Sequence, residues 1–213
     1  MSRPRIHSFD ALLDEAERLV TTGDPAGLTL RSLATRAGAS NGTIYHAFHS
    51  KEELLARLWL RAVARLGDAM AESRRSADLI AGGAPTGADE VVAVAIAPVL
   101  FTRRHPASAQ LFFVQRSDQL FSAGLSPEVV ALLDEEERRF VRLLKELAAG
   151  VWKRTDRAAV EAIAACVVDL PGGILRRALI EKRDPDPLME RRIAAAARAI
   201  LALPLDPPDR THP

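Results

Sequence analysis

From Pro25 to Lys51 the chain has no aspartate or glutamate, although it carries 28 acidic residues among its 213. The same window holds Arg31, Arg36 and Lys51, with His46 and His49 as further donors. Such a surface suits a polyphosphate neighbour. A carboxylate facing it would be repelled by every phosphate, whereas each cation that meets a phosphate releases a condensed counterion. Other chemistry finds less support. His46 and His49 are three apart, but no cysteine or acid is expected near enough to complete a site, so no metal is expected. Serine, histidine and aspartate all occur without a Gly-x-Ser-x-Gly elbow or a phosphate-cradling glycine loop. Pro171-Gly172-Gly173 lies inside a helical run with no strand before it, which points to a kinked helix. Asp134, Glu135, Glu136 and Glu137, followed by Arg138 and Arg139, read as a solvated helix face laced by ion pairs. No catalytic constellation emerges, so an enzyme is not expected and no cofactor is implied. A helical enzyme is the most distant alternative.

The elements that position the acid-free window follow from caps and periodicity. Phe9, Leu12, Leu13, Ala16, Leu19 and Val20 have helical spacing behind Ser8 as a cap. Gly23, Asp24, Pro25 and Gly27 stop that helix. Thr29 caps a second helix over residues 30–37, and Gly38 ends it where a left-handed residue is wanted. Ser40 then caps a third over residues 40–48, so close behind that the pair must cross steeply as a helix-turn-helix. Ile44 and Phe48, four apart and apolar, are expected to hold the third helix on Leu30, Leu33 and the first helix. Ser50 and Glu53 form the pattern of a capping box ahead of a long helix over residues 51–76.

Gly82, Gly83, Pro85 and Gly87 mark a connecting loop. Beyond it, helices are expected at 89–104, 107–120, 127–149, 155–182 and 187–203, punctuated by Pro106, Pro127, Pro185, Pro187 and Pro204. No alternating strand pattern of useful length appears. The expected fold is therefore all-α, with an N-terminal three-helix bundle, a long connecting helix and a C-terminal helical domain. Residues 1–50 are expected to form a helix-turn-helix domain, 77–204 a second helical domain, and 205–213 a frayed tail.

The composition, 48% hydrophobic and 27% charged, is that of a globular chain, and its net charge of +1 announces no partner by itself. Cys166 stands alone, which excludes an intrachain disulfide and suits a reducing cytoplasm. No apolar run reaches about 18 uninterrupted residues, so neither secretion nor a membrane span is expected.

Thr29-Leu30-Arg31-Ser32-Leu33-Ala34, followed by Ala37-Gly38-Ala39-Ser40-Asn41-Gly42-Thr43-Ile44-Tyr45-His46-Ala47-Phe48-His49-Ser50-Lys51-Glu52-Glu53-Leu54, resembles the DNA-binding region of TetR-type regulators. The likeness runs from about Phe9 to Leu60. It implies a regulator that binds a palindromic operator in double-stranded DNA, with Thr29, Arg31, Ser40, Asn41, Gly42, Thr43, Tyr45, His46 and Lys51 at the interface. The chemistry of these residues fits. Ser40 and Thr43 offer hydroxyls at a helix start, and Gly42 permits close approach. Asn41, where relatives often carry a longer or basic side chain, either reads an adenine or supports the Ser40 cap. Lys51 is placed to clamp a phosphate. Arg3 and Arg5 form either a minor-groove arm or ordinary solvated charge.

The last two expected helices have more apolar residues than one core face needs. Ile163, Val167, Leu170, Ile174 and Leu175, with Ile193, Ala197 and Ile200, are expected to pair two copies as a homodimer; packing within the subunit is the alternative use of the same residues. The resemblance also implies a pocket for a small-molecule effector in the C-terminal domain, whose binding releases the protein from its operator. Phe101, Phe112, Gln115, Arg116, Gln119, Trp152, Cys166 and Asp169 are the material for it, with ordinary core packing as the alternative for the aromatics. Mostly apolar walls with a few polar groups favour a hydrophobic or aromatic effector, with Arg116 or Arg176 able to accept a carboxylate. A regulator without an effector is the alternative.

Overall fold

The computed structural model describes residues 8–22, 28–80, 86–114 and 124–205. Among them every regular element is helical: α1 Phe9–Thr22, α2 Leu30–Ala37, α3 Asn41–Phe48, α4 Lys51–Ile80, α5 Gly87–Arg104, α6 Pro106–Val114 and α7 Pro127–Trp152. They are followed by α8, Arg157–Ile180, and α9, Pro187–Leu201. The turn expected at 23–27, the glycines at 82 and 83, the arginines at 3 and 5 and the tail from 206 lie outside the described residues, as does 115–120 of the helix expected at 107–120. The chain is thus all-α, and α4 runs four residues past its expected end at Ser76.

Two compact units emerge, Met1–Ala64 with His105–Glu135, and Arg65–Arg104 with Glu136–Pro213. In the first, Leu12, Leu13, Ala16 and Val20 of α1 share a core with Leu30 and Leu33 of α2, Ile44 and Phe48 of α3, and Leu54, Leu55 and Leu58 of α4. Leu111 of α6 joins the same core, and the fully buried Ser108 hydroxyl donates to the buried Glu17 carboxylate of α1 at 2.7 Å. Both polar groups are thereby satisfied out of water. Packing therefore groups α6 with the N-terminal helices, across an interval in sequence order.

In the second unit α5 is the central element. Val91, Val92, Ala93, Val94, Ala95, Ala97, Pro98, Val99 and Phe101 are all buried, which leaves it no solvent face along its middle. A helix apolar all round is a core helix, and α8 and α9 pack on it. Its start is fixed by a reciprocal box: the Asp89 amide donates to Thr86 Oγ1 at 3.2 Å, and the Thr86 hydroxyl and amide donate to Asp89 Oδ2 at 2.7 and 3.2 Å. The Thr86 hydroxyl holds the Asp89 carboxyl below the usual carboxylate range. Gly87 passes so near α7 that a Cβ there would stand 2.4 Å from the carbonyl carbon and oxygen of Gly150. No side chain is compatible with that crossing.

α8 contains one π-helical turn, Ala165–Asp169, where the Leu170 amide reaches back to the Ala165 carbonyl. Pro171, which has no amide to donate, follows at once. A helix interruption therefore stands just ahead of the Pro171-Gly172-Gly173 segment, as one wide turn. By length and composition α8 is apolar enough to cross a bilayer, which the count of uninterrupted apolar residues misses. Its Ala159, Ile163, Cys166, Val167, Pro171, Leu175 and Ala178 are buried in the unit's own core.

Cys166 is fully buried, with Sγ 3.8 Å from the Ala197 carbonyl of α9. Burial pushes the thiol from its ordinary 9.0 up to about 11, because the thiolate would lose its hydration. The folded chain therefore keeps this proton to higher pH than the unfolded chain. That contribution to stability is intact below about pH 9 and is lost as pH rises toward 11. Iodoacetamide at pH 8 should leave the native thiol unmodified and label it after urea unfolding; prompt labelling of the native chain would contradict its burial.

Candidate nucleic-acid interface

The helix-turn-helix is built from caps. Thr29 Oγ1 accepts the Ser32 amide and Ser32 Oγ accepts the Thr29 amide, both at 3.0 Å, so two orphan donors at the start of α2 are satisfied reciprocally. Gly38 has φ 62°, and the Ala39 amide returns to the Ala34 carbonyl at 3.0 Å, which closes the helix and turns the chain. Two residues on, Ser40 Oγ accepts the Thr43 amide at 3.1 Å and lies 2.9 Å from Thr43 Oγ1. The cap of α3 is thus made between Ser40 and Thr43, and Asn41 projects from the same turn, exposed.

α3 buries only Ile44 and Phe48, as the spacing predicts. Ser40, Asn41, Gly42, Thr43, Tyr45 and His46 are all exposed, Tyr45 by 53%. Thr29 and Arg31 are exposed at the start of α2, and Lys51 is half-buried at the start of α4. A Cβ on Gly42 would meet only Ser40 Oγ at 3.7 Å, an ordinary contact. Packing within the chain therefore places no steric demand for glycine there.

Packing alters the electrostatics expected of the window in one place. Arg36 donates from Nε to Glu15 of α1 at 3.0 Å, so an acid supplied from elsewhere neutralises one of the expected cations. That guanidinium, helped by Arg18, holds the Glu15 carboxyl below the usual range. Arg31 makes no such pair among the described residues.

At the start of α4 only half of the expected capping box forms. The Glu53 amide donates to Ser50 Oγ at 3.0 Å, but the Ser50 amide turns to the Phe48 carbonyl. The Glu53 carboxylate is buried and faces Arg57, whose Nη2 and Nε donate to Oε1 at 3.1 and 3.3 Å. Its Oε2 is 3.4 Å from His49 Nδ1. Sequence reasoning placed no acid beside this histidine; the i,i+4 spacing across the α3–α4 turn was the signal that could have found it. Arg57 also lies 5.3 Å from the centroid of the Phe9 ring and 3.5 Å from Glu128 at the start of α7, and Phe9 rests on Phe48 with centroids 5.1 Å apart. The end of α3 is thereby tied to α1, α4 and α7. Among the described residues no group of three or more His, Cys, Asp or Glu is placed to hold a metal.

The other sequence candidates separate. Phe112 stacks on Trp59 in the first unit, with ring centroids 5.9 Å apart. Phe101 and Cys166 are fully buried in the second unit, Trp152 is half-buried and Asp169 exposed. Gln115, Arg116 and Gln119 lie outside the described residues. Of the residues expected to pair two copies, Ile163, Val167, Ile193 and Ala197, like Leu175, are buried against their own unit and cannot meet a second chain there. Leu170, Ile174 and Ile200 are half-buried. The physical reason is α5, which covers the apolar side of both helices.

Residues 12–58 match the family model described as bacterial regulatory proteins, tetR family. Two uncharacterized HTH-type transcriptional regulators of Mycobacterium tuberculosis, MT1294 of strain CDC 1551 / Oshkosh and Rv1255c of strain ATCC 25618 / H37Rv, are 43% identical over 58 residues. That match covers 27% of this chain and 29% of each relative. The fold as a whole is similar to the fatty acid degradation regulator FadR from Bacillus halodurans, with TM-score 0.67 and 14% identity over 97% of this chain and all of that one. A tetR-family regulatory protein from Rhodococcus RHA1 has TM-score 0.66 and 18% identity, over 90% of this chain and 96% of its own. FadR from Bacillus subtilis, solved with stearoyl-CoA, has TM-score 0.60 and 14% identity over 91% and 96%. The matched segment is the one whose caps and turn build the helix-turn-helix, and over that segment the chain is similar to the TetR-type regulators.

Proposed function

We propose that the chain is a sequence-specific transcriptional regulator of the cytoplasm, a repressor that binds a palindromic operator as a homodimer and is released by a small hydrophobic or aromatic effector. One observation carries the DNA-binding part. α3 keeps Ile44 and Phe48 inside and turns a contiguous set of small polar and aromatic side chains outward, on a segment free of carboxylates from Pro25 to Lys51. Hydroxyls and amides at its start suit phosphates and base edges, and Lys51 supplies charge beside it. Two copies related by a two-fold axis would present two such helices to two half-sites. The surface available for pairing on α8 and α9 is the outward one, with Val168, Ile180 and Leu188 exposed and Leu170, Ile174 and Ile200 half-buried. The effector reading is supported by likeness of fold to a regulator solved with stearoyl-CoA. Phe101, Trp152 and Cys166 of the second unit are the apolar candidates for it.

Selection of duplexes from a random pool by the purified chain tests the proposal directly: a palindromic consensus is expected, and failure to enrich any duplex would sink it. Lys51→Ala should weaken specific and random duplexes alike and lower the salt slope by about 0.9 for each phosphate that the lysine neutralises. Asn41→Ala should instead change the preferred base at one position per half-site, by about 1 to 3 kcal/mol. Equal effects of both on sequence preference would contradict these roles. A regulator without an effector is favoured if compounds that raise the melting temperature leave operator affinity unchanged.

A further inference from the structure

The turn from α3 to α4 has a feature that a helix-turn-helix does not by itself require. His49 has φ 51° and ψ −47°, and the Ser50 amide donates across it to the Phe48 carbonyl. This is the γ-turn with positive φ, a rare and strained conformation for any residue with a Cβ. Glycine would adopt it freely, yet the position holds a histidine. The side chain does little for folding, since it is 70% exposed and an exposed ion pair contributes little. It is nonetheless oriented. Nδ1 faces the buried Glu53 carboxylate at 3.4 Å, and that carboxylate is held by Arg57. Nε2, on the opposite side of the ring, has no protein partner among the described residues.

We propose that His49 binds a phosphate of the operator backbone through Nε2, presented there by the Glu53 carboxylate and the strained turn. The inference rests on the DNA-binding reading above and adds to it a residue outside α3. Phosphate oxygens only accept, so Nε2 carries a proton in the complex, while Nδ1–H faces Glu53. The ring is then an imidazolium between two anions. A strained residue kept at the edge of a phosphate-facing helix, with its side chain aimed by a buried acid, is a contact residue and not a turn former.

His49→Gly separates the two roles, because it relieves the turn while deleting the imidazole. The variant should melt no lower than wild type, since glycine suits the turn. It should bind the selected operator about tenfold more weakly, as expected for loss of one hydrogen bond to a charged group. In ethylation interference, one phosphate per half-site that weakens wild-type binding when ethylated should have no effect on the variant. His49→Asn also tolerates positive φ and stops short of the imidazole's reach, and should lose the same phosphate. Wild-type affinity with an unchanged interference pattern overturns the contact, as does weakening spread evenly over all phosphates. If wild type enriches no duplex, the DNA-binding reading falls and the contact falls with it; binding by wild type with an unaltered variant pattern overturns the contact alone.

Discussion

Replacing Phe48 with alanine should destabilise the first unit by about 3 to 5 kcal/mol, the cost of removing a buried aromatic ring and leaving a cavity. The ring is fully buried, and it is one of only two side chains that α3 places inside. α3 has eight residues, well below the length of about 12 to 15 at which an isolated helix persists in water. It is therefore held by Ile44 and Phe48 and by its Ser40 cap. Loss of Phe48 also withdraws the surface on which Phe9 rests, and with it the seat of Arg57. Urea unfolding monitored by circular dichroism would give the loss, and amide exchange would place the new opening in α3. Phe9→Ala, at a ring already 41% exposed, should cost much less. A Phe48→Ala cost under about 1 kcal/mol would mean that α3 is held by other contacts.

Glu53→Ala should cost about 2 to 3 kcal/mol, somewhat under the usual cost of removing one partner from a buried pair. The carboxylate accepts both Nη2 and Nε of Arg57 in the interior. Without it the guanidinium, 18% exposed, keeps only Glu128 at 3.5 Å and the face of Phe9. Those remaining partners are why the expected loss is not larger. The double variant Glu53→Leu with Arg57→Leu should recover most of the stability, because a buried ion pair is replaced by apolar packing of similar size. Equilibrium unfolding of both single variants and the double gives the coupling. Additive losses would show that the pair does not act as a unit.

What could be read from sequence was local chemistry. Ser8, Thr29, Gly38 and Ser40 cap or close the helices they were assigned to, because a cap is decided by residues three or four apart. The burial of Ile44 and Phe48 follows from the same short period. What escaped depends on contacts distant in sequence. Arg36 meets Glu15 across 21 residues, and Ser108 meets Glu17 across 91. Neither pair has any local signature. Ile163, Val167, Ile193 and Ala197 are too apolar for solvent, but their sequence pattern fits a second copy and their own unit equally, and the fold buries them in their own unit. α5 is buried almost all round and so shows no polar face, and nothing in its own pattern says which helices lie against it. Half of the Ser50–Glu53 box is missing for a further reason: the Glu53 carboxylate is taken by the half-buried Arg57.

The π-helical turn of α8 sets the phase of everything after it. The buried stripe Ala159, Ile163, Val167, Pro171, Leu175 and Ala178 spans 19 positions from first to last. Five turns of α-helix take about 18 residues, so in an undistorted helix Ala178 would be rotated by about 100° from the line of Ala159. One wide turn takes up the surplus residue and returns Leu175 and Ala178 to the core. A helical wheel drawn through the whole segment therefore assigns the wrong face to residues beyond Asp169. A relative whose helix lacks the turn would correspond to this one only with a single-residue gap between Ala165 and Asp169. Without that gap, each outward side chain of the C-terminal half would be matched to a neighbour a quarter of a turn away.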